Sequence, residues 1–433
     1  MSSAIASEIS RQSVAEVSAM QSDPGWLLQL RLQAFEIYGR MAFPDPLDDE
    51  WRRTDISQLL PLLDSLRPYE DGDATTVAQE SIVSQVCGRL VQSGSMPGRA
   101  QLDAELAAKG VVMAPMGLAA SEHPELVRAH LFSQVTPDRD KFAALHAALF
   151  SGGTFVYVPD GVSIERPLLS RFGSTGSGAV VSPHTLIIAG RSSRFTYIDE
   201  FQSANSPTAS LNGGSAELFL GDGAEVDYVA LQDWGRQAWQ FATQRVLLNQ
   251  DAKVNLVTLA LGGRFTKMRT EAILAGPGSS AELKGLLLGS GDQFFDHHTL
   301  QDHRSPHTTS DLLFKGALRD RSRSMYAGLI RVAPGAQRAD AYQANRNLLL
   351  SSTSKADSIP MLEIESNDVR CTHGATVGPV DLDQLFYLQS RGLPLSVAQQ
   401  MIVQGFFREV LGRIPLVEVV DRLEQEIAAR AAA

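Results

Sequence analysis

Cysteine is scarce: Cys87 and Cys371 are the only two in 433 residues. They lie far apart in sequence, so they build no disulfide framework, and their scarcity fits a reducing compartment. No apolar run approaches the roughly 20 residues that a membrane-crossing helix needs. Blocks of like charge are also missing. The 38 basic and 49 acidic residues are scattered and leave a net charge of −11. That balance favours solubility and argues against a nucleic-acid or anionic-membrane surface. No G-x-x-x-x-G-K-[ST] loop occurs, so the chain itself is not expected to hydrolyse ATP, and neither G-x-S-x-G nor H-E-x-x-H is found. Gly276-Pro277-Gly278-Ser279-Ser280-Ala281 has the spacing of a dinucleotide fingerprint. The segment after it, Glu282–Leu288, reads as a strand rather than a helix, so a β-turn is expected there. The Ser-rich N-terminus carries Glu8 and Glu16 and little arginine, which does not read as a transit peptide, and cytosol is the expected location.

The length suffices for a sizeable core and two or three structural units. Residues 1–150 read as helical. Trp26 to about Arg40 places Leu27, Leu30, Ala34 and Tyr38 at helical spacing, and the Pro44 and Pro46 pair stops it. Glu70–Ala78 reads as a polar linker, and Lys141–Phe150 as a helix with His146 beside its apolar face. Residues 151–378 change character. Short runs such as Thr154–Val158, Val226–Ala230, Val254–Leu261 and Glu282–Leu288 alternate with glycine turns at Gly161, Gly223 and Gly278. Many short strands without helices between them indicate a sandwich, barrel or solenoid; no exact repeat period is visible. From residue 379 to 433 the helical period returns. Asp381 with Gln384 and Ser396 with Gln399 have capping-box spacing, and Gly392 and Gly412 stand where helices end. Ile402, Phe406 and Val410 form one apolar stripe; Leu416, Val420, Leu423 and Ile427 form another after Pro415.

Three constellations carry candidate chemistry. Cys371 and His373 alternate onto one face of an extended chain, their Cα atoms ~7 Å apart. A thiolate and an imidazole so placed suit one metal ion or one edge of a cluster; the bland reading is a buried thiol beside a hydrogen-bonded histidine. Four of the nine histidines, His297, His298, His303 and His307, fall within eleven residues beside Asp296 and Asp302. They read either as a transition-metal site or as a polar ladder or subunit interface. Gln343, Asn345 and Asn347 alternate along a strand and read as a structural amide stack.

Longer signatures bring in a family. Ile359-Pro360-Met361-Leu362-Glu363-Ile364, Asp368-Val369-Arg370-Cys371-Thr372-His373-Gly374-Ala375-Thr376-Val377-Gly378 and Gln384-Leu385-Phe386-Tyr387-Leu388-Gln389-Ser390-Arg391-Gly392 together resemble the SufB/SufD family of iron–sulfur cluster assembly scaffolds. Gly153–Pro159, Gln343–Leu350, Trp26-Leu27-Leu28 with Arg31, and Glu50–Thr54 extend the likeness over about residues 24 to 411. Gly374 and the N-terminal tryptophan motifs favour the SufD branch. The resemblance implies a right-handed parallel β-helix core flanked by N-terminal and C-terminal α-helical regions. It also implies a non-catalytic scaffold that pairs with a SufB-like paralogue through the β-helices, or forms a homodimer when alone. A SufC-type ABC ATPase would dock on the C-terminal helices, where Phe386, Tyr387, Arg391 and Phe406 are the expected contact residues. The implied cofactor is a transient iron–sulfur cluster shared with the partner, with reduced flavin in the complex. His373 corresponds to the family's cluster-site histidine, and Cys371 is a secondary contributor. Two cysteines in separate regions agree, since a stable cluster takes about four ligands, mostly cysteine. Two alternatives are a polysaccharide-active β-helix enzyme, which calls for paired carboxylates along a groove, and a SufB-type paralogue.

Overall fold

A computed structural model describes residues 9–45, 47–73, 81–176, 178–414 and 416–432. Most of the expected polar linker, both punctuating prolines at 46 and 415, and the first eight residues lie outside these. The core is a parallel β-helix of about eight turns, with helices at both termini. Each turn contributes one strand to each of two sheets, which have ten and eleven strands among the described residues. Partners in adjacent turns lie 26 to 32 residues apart, as between Trp239 and Phe265 or between Arg323 and Lys355. That drift in turn length explains why no exact period shows in the sequence.

Strands point alternate side chains into and out of the helix. The inward rows stack like with like. Tyr197 lies over Tyr228 with ring centres 6.0 Å apart, and Phe172 over Phe201 at 5.2 Å. The outward rows are largely covered as well, so strands such as Leu168–Ser174 and Ser280–Gly289 are buried along most or all of their length rather than in alternation. The expected turns hold: Gly161, Gly223 and Gly278 all take positive φ, where a Cβ would be strained.

The N-terminal region covers the outer face of the eleven-stranded sheet. Helix Gly25–Arg40 buries Leu27, Leu32 and Ala34, and Trp51 stacks on Phe142. Arg31 is fully buried, bonded to Asp23 at 2.6 Å and to the Phe150 carbonyl at 2.7 Å. The region is not helical throughout. Gly88–Ser93 pairs in parallel with Leu168–Ser174, while Arg99–Leu102 and Val112–Pro115 end the two sheets in antiparallel pairs. These strands are short and carry Arg89, Gln92 and Arg99, so they give no apolar run to read.

The attachment of this region rests on Glu217, a fully buried carboxylate on strand Ser215–Leu220. It accepts the backbone N–H groups of Phe132, Gln134 and Val135 at 2.6 to 2.9 Å. Its other contact is His184 Nε2 at 3.0 Å, and His184 in turn meets His146, which meets Ser182. His146 is therefore a core residue of helix Lys141–Leu149, as expected.

At the other end, helices Leu395–Leu411 and Val417–Ala432 lie on the outer face of the ten-stranded sheet. The buried stripe of the first is Val403, Phe407 and Val410, one residue round from the expected Ile402, Phe406 and Val410. Both faces of this helix are apolar, so periodicity alone cannot choose between them. Ser396 is not a cap: the helix is entered through Pro394, and Ser396 lies in its first turn. Asp381 does cap helix Leu382–Ser390, accepting from the N–H groups of Asp383 and Gln384. Gly392, with φ at +90°, ends that helix.

Candidate functional site: the open end of the solenoid

Each sheet ends on a strand that pairs on one side only. Lys355–Ile364 closes the eleven-stranded sheet and Arg370–Pro379 the ten-stranded one. Their outer edges present unpaired N–H and C=O groups, a template for a further chain. Met361, Leu362, Ile364 and Val377 on these strands are 38 to 43 % exposed.

His373 occupies this lip. It continues an inward row that runs Leu168, Tyr197, Tyr228, Leu256, Leu283, Leu312, Gln343 and then His373. Every earlier member of the row is fully buried, whereas His373 is exposed. The difference is only that no further turn lies above it. The row has turned from apolar to polar before it ends: Gln343 donates to the Gly328 carbonyl across the helix, while its Oε1 is buried without a partner among the described residues. Cys371 shares the inward face, two residues back, and packs with Val369 on Ile330, Val332 and Ala341. Burial, and secondarily the Asp340 carboxylate, push its thiol pKa up. The thiolate, the form that binds metal, is disfavoured there. Cys371 and His373 thus meet on one face, but Cys87 is remote and buried, its sulfur against the Arg166 carbonyl at 2.8 Å.

The histidine patch is dispersed. All of it but His307 lies on one extended strand, Phe294–His303, whose residues alternate in and out. His297 points inward and is fully buried, with its ring edge-on to Phe314. His298 faces outward against Lys267 and Asp296. His303 is buried about 20 Å further along, between Thr308 and Ser310 at 2.7 and 2.8 Å. His307 is exposed in a turn with φ at +61°. Among the described residues, no three His, Cys, Asp or Glu side chains converge to hold a metal ion, so the transition-metal reading of this patch is withdrawn. The amide row also differs from a stack. Asn347 donates to Asn345 within the strand, while Gln343 and Asn345 donate to backbone carbonyls.

These buried groups make stability depend on pH. Burial pushes His297 and His303 down to about 4 from an ordinary value of 6.5, and pushes Asp199 up to about 7. Between pH 4 and 6.5 the unfolded chain therefore binds two histidine protons that the fold refuses. Over the same range the fold keeps one Asp199 proton that the unfolded chain releases. The net slope is positive: stability should fall on acidification from pH 6.5 to 4.5 by about 1.4 kcal/mol per pH unit. Burial lowers His146 too, in the same sense. Above pH 6.5 only the Asp199 contribution remains, and stability should decline slightly up to about pH 7. Guanidinium titrations at three pH values would check both signs.

A second surface lies on the C-terminal helices. No residue of helix Leu382–Ser390 is buried. Leu382, Phe386 and Tyr387 are 56 to 75 % exposed, and Leu395 and Met401 extend the patch. The Arg391 guanidinium lies 5.2 Å over the Tyr387 ring. Phe406 differs from these: it is half-buried, its ring lies under Lys315, and its carbonyl accepts from Lys315 Nζ at 2.8 Å. Among the described residues no helix is long and apolar enough to cross a membrane.

The fold is thus a parallel β-helix with an open lip at its C-terminal end and an exposed helical appendage. Comparison with known sequences places it more closely. Residues 172–406 match the family model for the SUF system iron–sulfur cluster assembly SufBD core domain, and residues 91–169 that for the SufBD protein N-terminal region. The iron–sulfur cluster assembly protein SufD of Bacillus subtilis is 29 % identical over 96 % of both chains. An iron–sulfur cluster assembly SufBD family protein of Staphylococcus epidermidis is 27 % identical over 94 % of this chain and 90 % of its own. The chain belongs to the SufBD family of iron–sulfur cluster assembly proteins and is a homologue of SufD. That assignment replaces the polysaccharide-enzyme reading.

Proposed function

We propose that this chain is a non-catalytic scaffold subunit, acting in the cytosol, that pairs through its open end with a SufB-like paralogue. A nascent iron–sulfur cluster is held at the junction by His373 together with thiolates of the partner, and Cys371 contributes secondarily. The observation that carries this reading is the lip itself. Two unpaired sheet edges flank an exposed histidine in a row that is buried everywhere else. A second solenoid added there would cover the apolar residues and enclose His373. This chain offers at most two ligands on that face and a cluster takes about four, so the others come from across the junction. A site with an imidazole among thiolates binds less firmly than an all-cysteine site, which suits a product that must leave.

The same proposal assigns the exposed Phe386–Tyr387 patch to a SufC-type ABC ATPase. Deleting everything after residue 380 is a poor test, because helices Leu395–Leu411 and Val417–Ala432 cover Val257, Leu286 and Leu313 of the sheet. Point changes avoid this. Co-expressed with both partners, the Phe386→Asp/Tyr387→Asp variant should lose the ATPase on purification, a drop in affinity of about a hundredfold or more. The paralogue should still co-purify. An ATPase retained at full stoichiometry would refute the docking assignment, and loss of the paralogue would refute the division of the two surfaces.

A further inference from the structure

A cavity of about 560 Å³ lies between the segment around Glu50 to Arg53 and the outer face of the eleven-stranded sheet. The scaffold function proposed above uses none of it but Met361, which stands on both the lip and the cavity floor. Its floor is apolar and built by register: Leu300, Leu329 and Met361 align across three successive turns, with Ala327 and Ile359 in the row beside them. Its far end is polar and cationic. Four arginines line the cavity against three carboxylates in a chain whose net charge is −11. The carboxylates are already engaged: Glu271 takes Arg139 and Arg245, Glu50 takes Arg269, and Asp49 takes Arg52. Arg53, exposed at the rim, has no ion-pair partner among the described residues.

His298 stands where the apolar row meets the charged end. Its Nε2 is held from behind, 2.8 Å from Asp296 and 3.0 Å from the buried Lys267. Asp296 is in turn fixed by Thr54 at 2.6 Å. The ring is thus locked by buried groups, while its other nitrogen has no hydrogen-bond partner among the described residues. A pocket of this size, mostly apolar with a few convergent polar groups, has the build of a small-molecule site.

We propose that this cavity binds a small organic anion. An aromatic or acyl body would lie on the Leu300–Leu329–Met361 floor, and an acidic head group would face Arg53, Arg139 and His298. A neutral ligand would leave the cationic end unanswered, and a cation would meet the arginines. The test uses the full-length chain with two unlike anions, anilinonaphthalene sulfonate followed by its fluorescence, and decanoate as competitor. One saturable site is expected for the sulfonate, displaced by decanoate and far less by decanol, which lacks the charge. Ala327→Phe, which fills the floor, and Arg53→Glu, which reverses the rim charge on an exposed side chain, should each weaken binding about tenfold or more. Circular dichroism and melting temperature confirm that both variants fold. The proposal is overturned by absence of a saturable site, by decanol competing as well as decanoate, or by folded variants that bind as the parent does.

Discussion

Replacing His373 with alanine should leave the complex assembled and abolish the build-up of clusters on it. The side chain is exposed on the last strand and makes no hydrogen bond among the described residues, so its loss removes no structural contact. Surface changes of that kind stay within about 0.5 kcal/mol. As a ligand, in contrast, it is the only exposed imidazole on the inward face of the lip, and removing one of about four ligands leaves an open coordination position. Cys371→Ser should have a milder effect, because burial already disfavours the thiolate there and the side chain packs on Ile330 and Val332. Iron and sulfide per assembled complex, measured beside the melting temperature, separate the alternatives. If His373 were structural, the variant would lose stability or complex yield and keep its clusters. That outcome would remove His373 from the proposed site.

Much of the architecture could be read in the sequence, and the failures share a cause. Strands with apolar residues on both faces, such as Lys253–Ala260 and Ser280–Gly289, announce themselves, as do the glycine turns between them. Phe265–Leu274 does not, because Lys267, Arg269 and Glu271 interrupt it. Those charges are buried beneath the N-terminal region, where Arg269 meets Asp140 and Glu50, and Arg139 meets Glu271. Asp140, Glu50 and Arg139 lie more than a hundred residues away, so local pattern could not mark the segment as core. The histidine patch left two readings open, and its metal reading fails for the opposite reason. Closeness in sequence along a strand puts neighbours on opposite faces and next-neighbours progressively further apart. Cys371 and His373 escaped that error because two residues is the one spacing that keeps a pair both near and on the same face. What no local signal could give was the exposure of His373, which depends on no further turn lying above it. The cavity beside Arg53 was likewise invisible, since its floor comes from residues about thirty apart and its wall from the N-terminal region.

Glu217→Ala should be the most destabilising single change in the chain. The carboxylate accepts three backbone N–H groups from residues 132 to 135, and His184 besides, in a fully buried position. Truncation leaves three orphaned amide donors and an unpartnered imidazole nitrogen where water has no ready access. Each orphaned group costs about 1–3 kcal/mol, so the four together imply a loss of at least about 4 kcal/mol. That is a large share of the 5–15 kcal/mol typical of folded domains. The damage should be directional. Residues 132 to 135 lead into helix Lys141–Leu149, which carries His146, Phe142 and the packing of Trp51, so the N-terminal region should loosen from the solenoid first. Limited proteolysis of the variant should cut ahead of residue 150 at protease levels the parent resists, with the fragment beyond it still rich in β-structure. Glu217→Gln keeps one acceptor oxygen and should lie between the two. A Glu217→Ala protein within about 1 kcal/mol of the parent would show instead that Arg139 with Glu271, and Asp140 with Arg269, hold the region in place unaided.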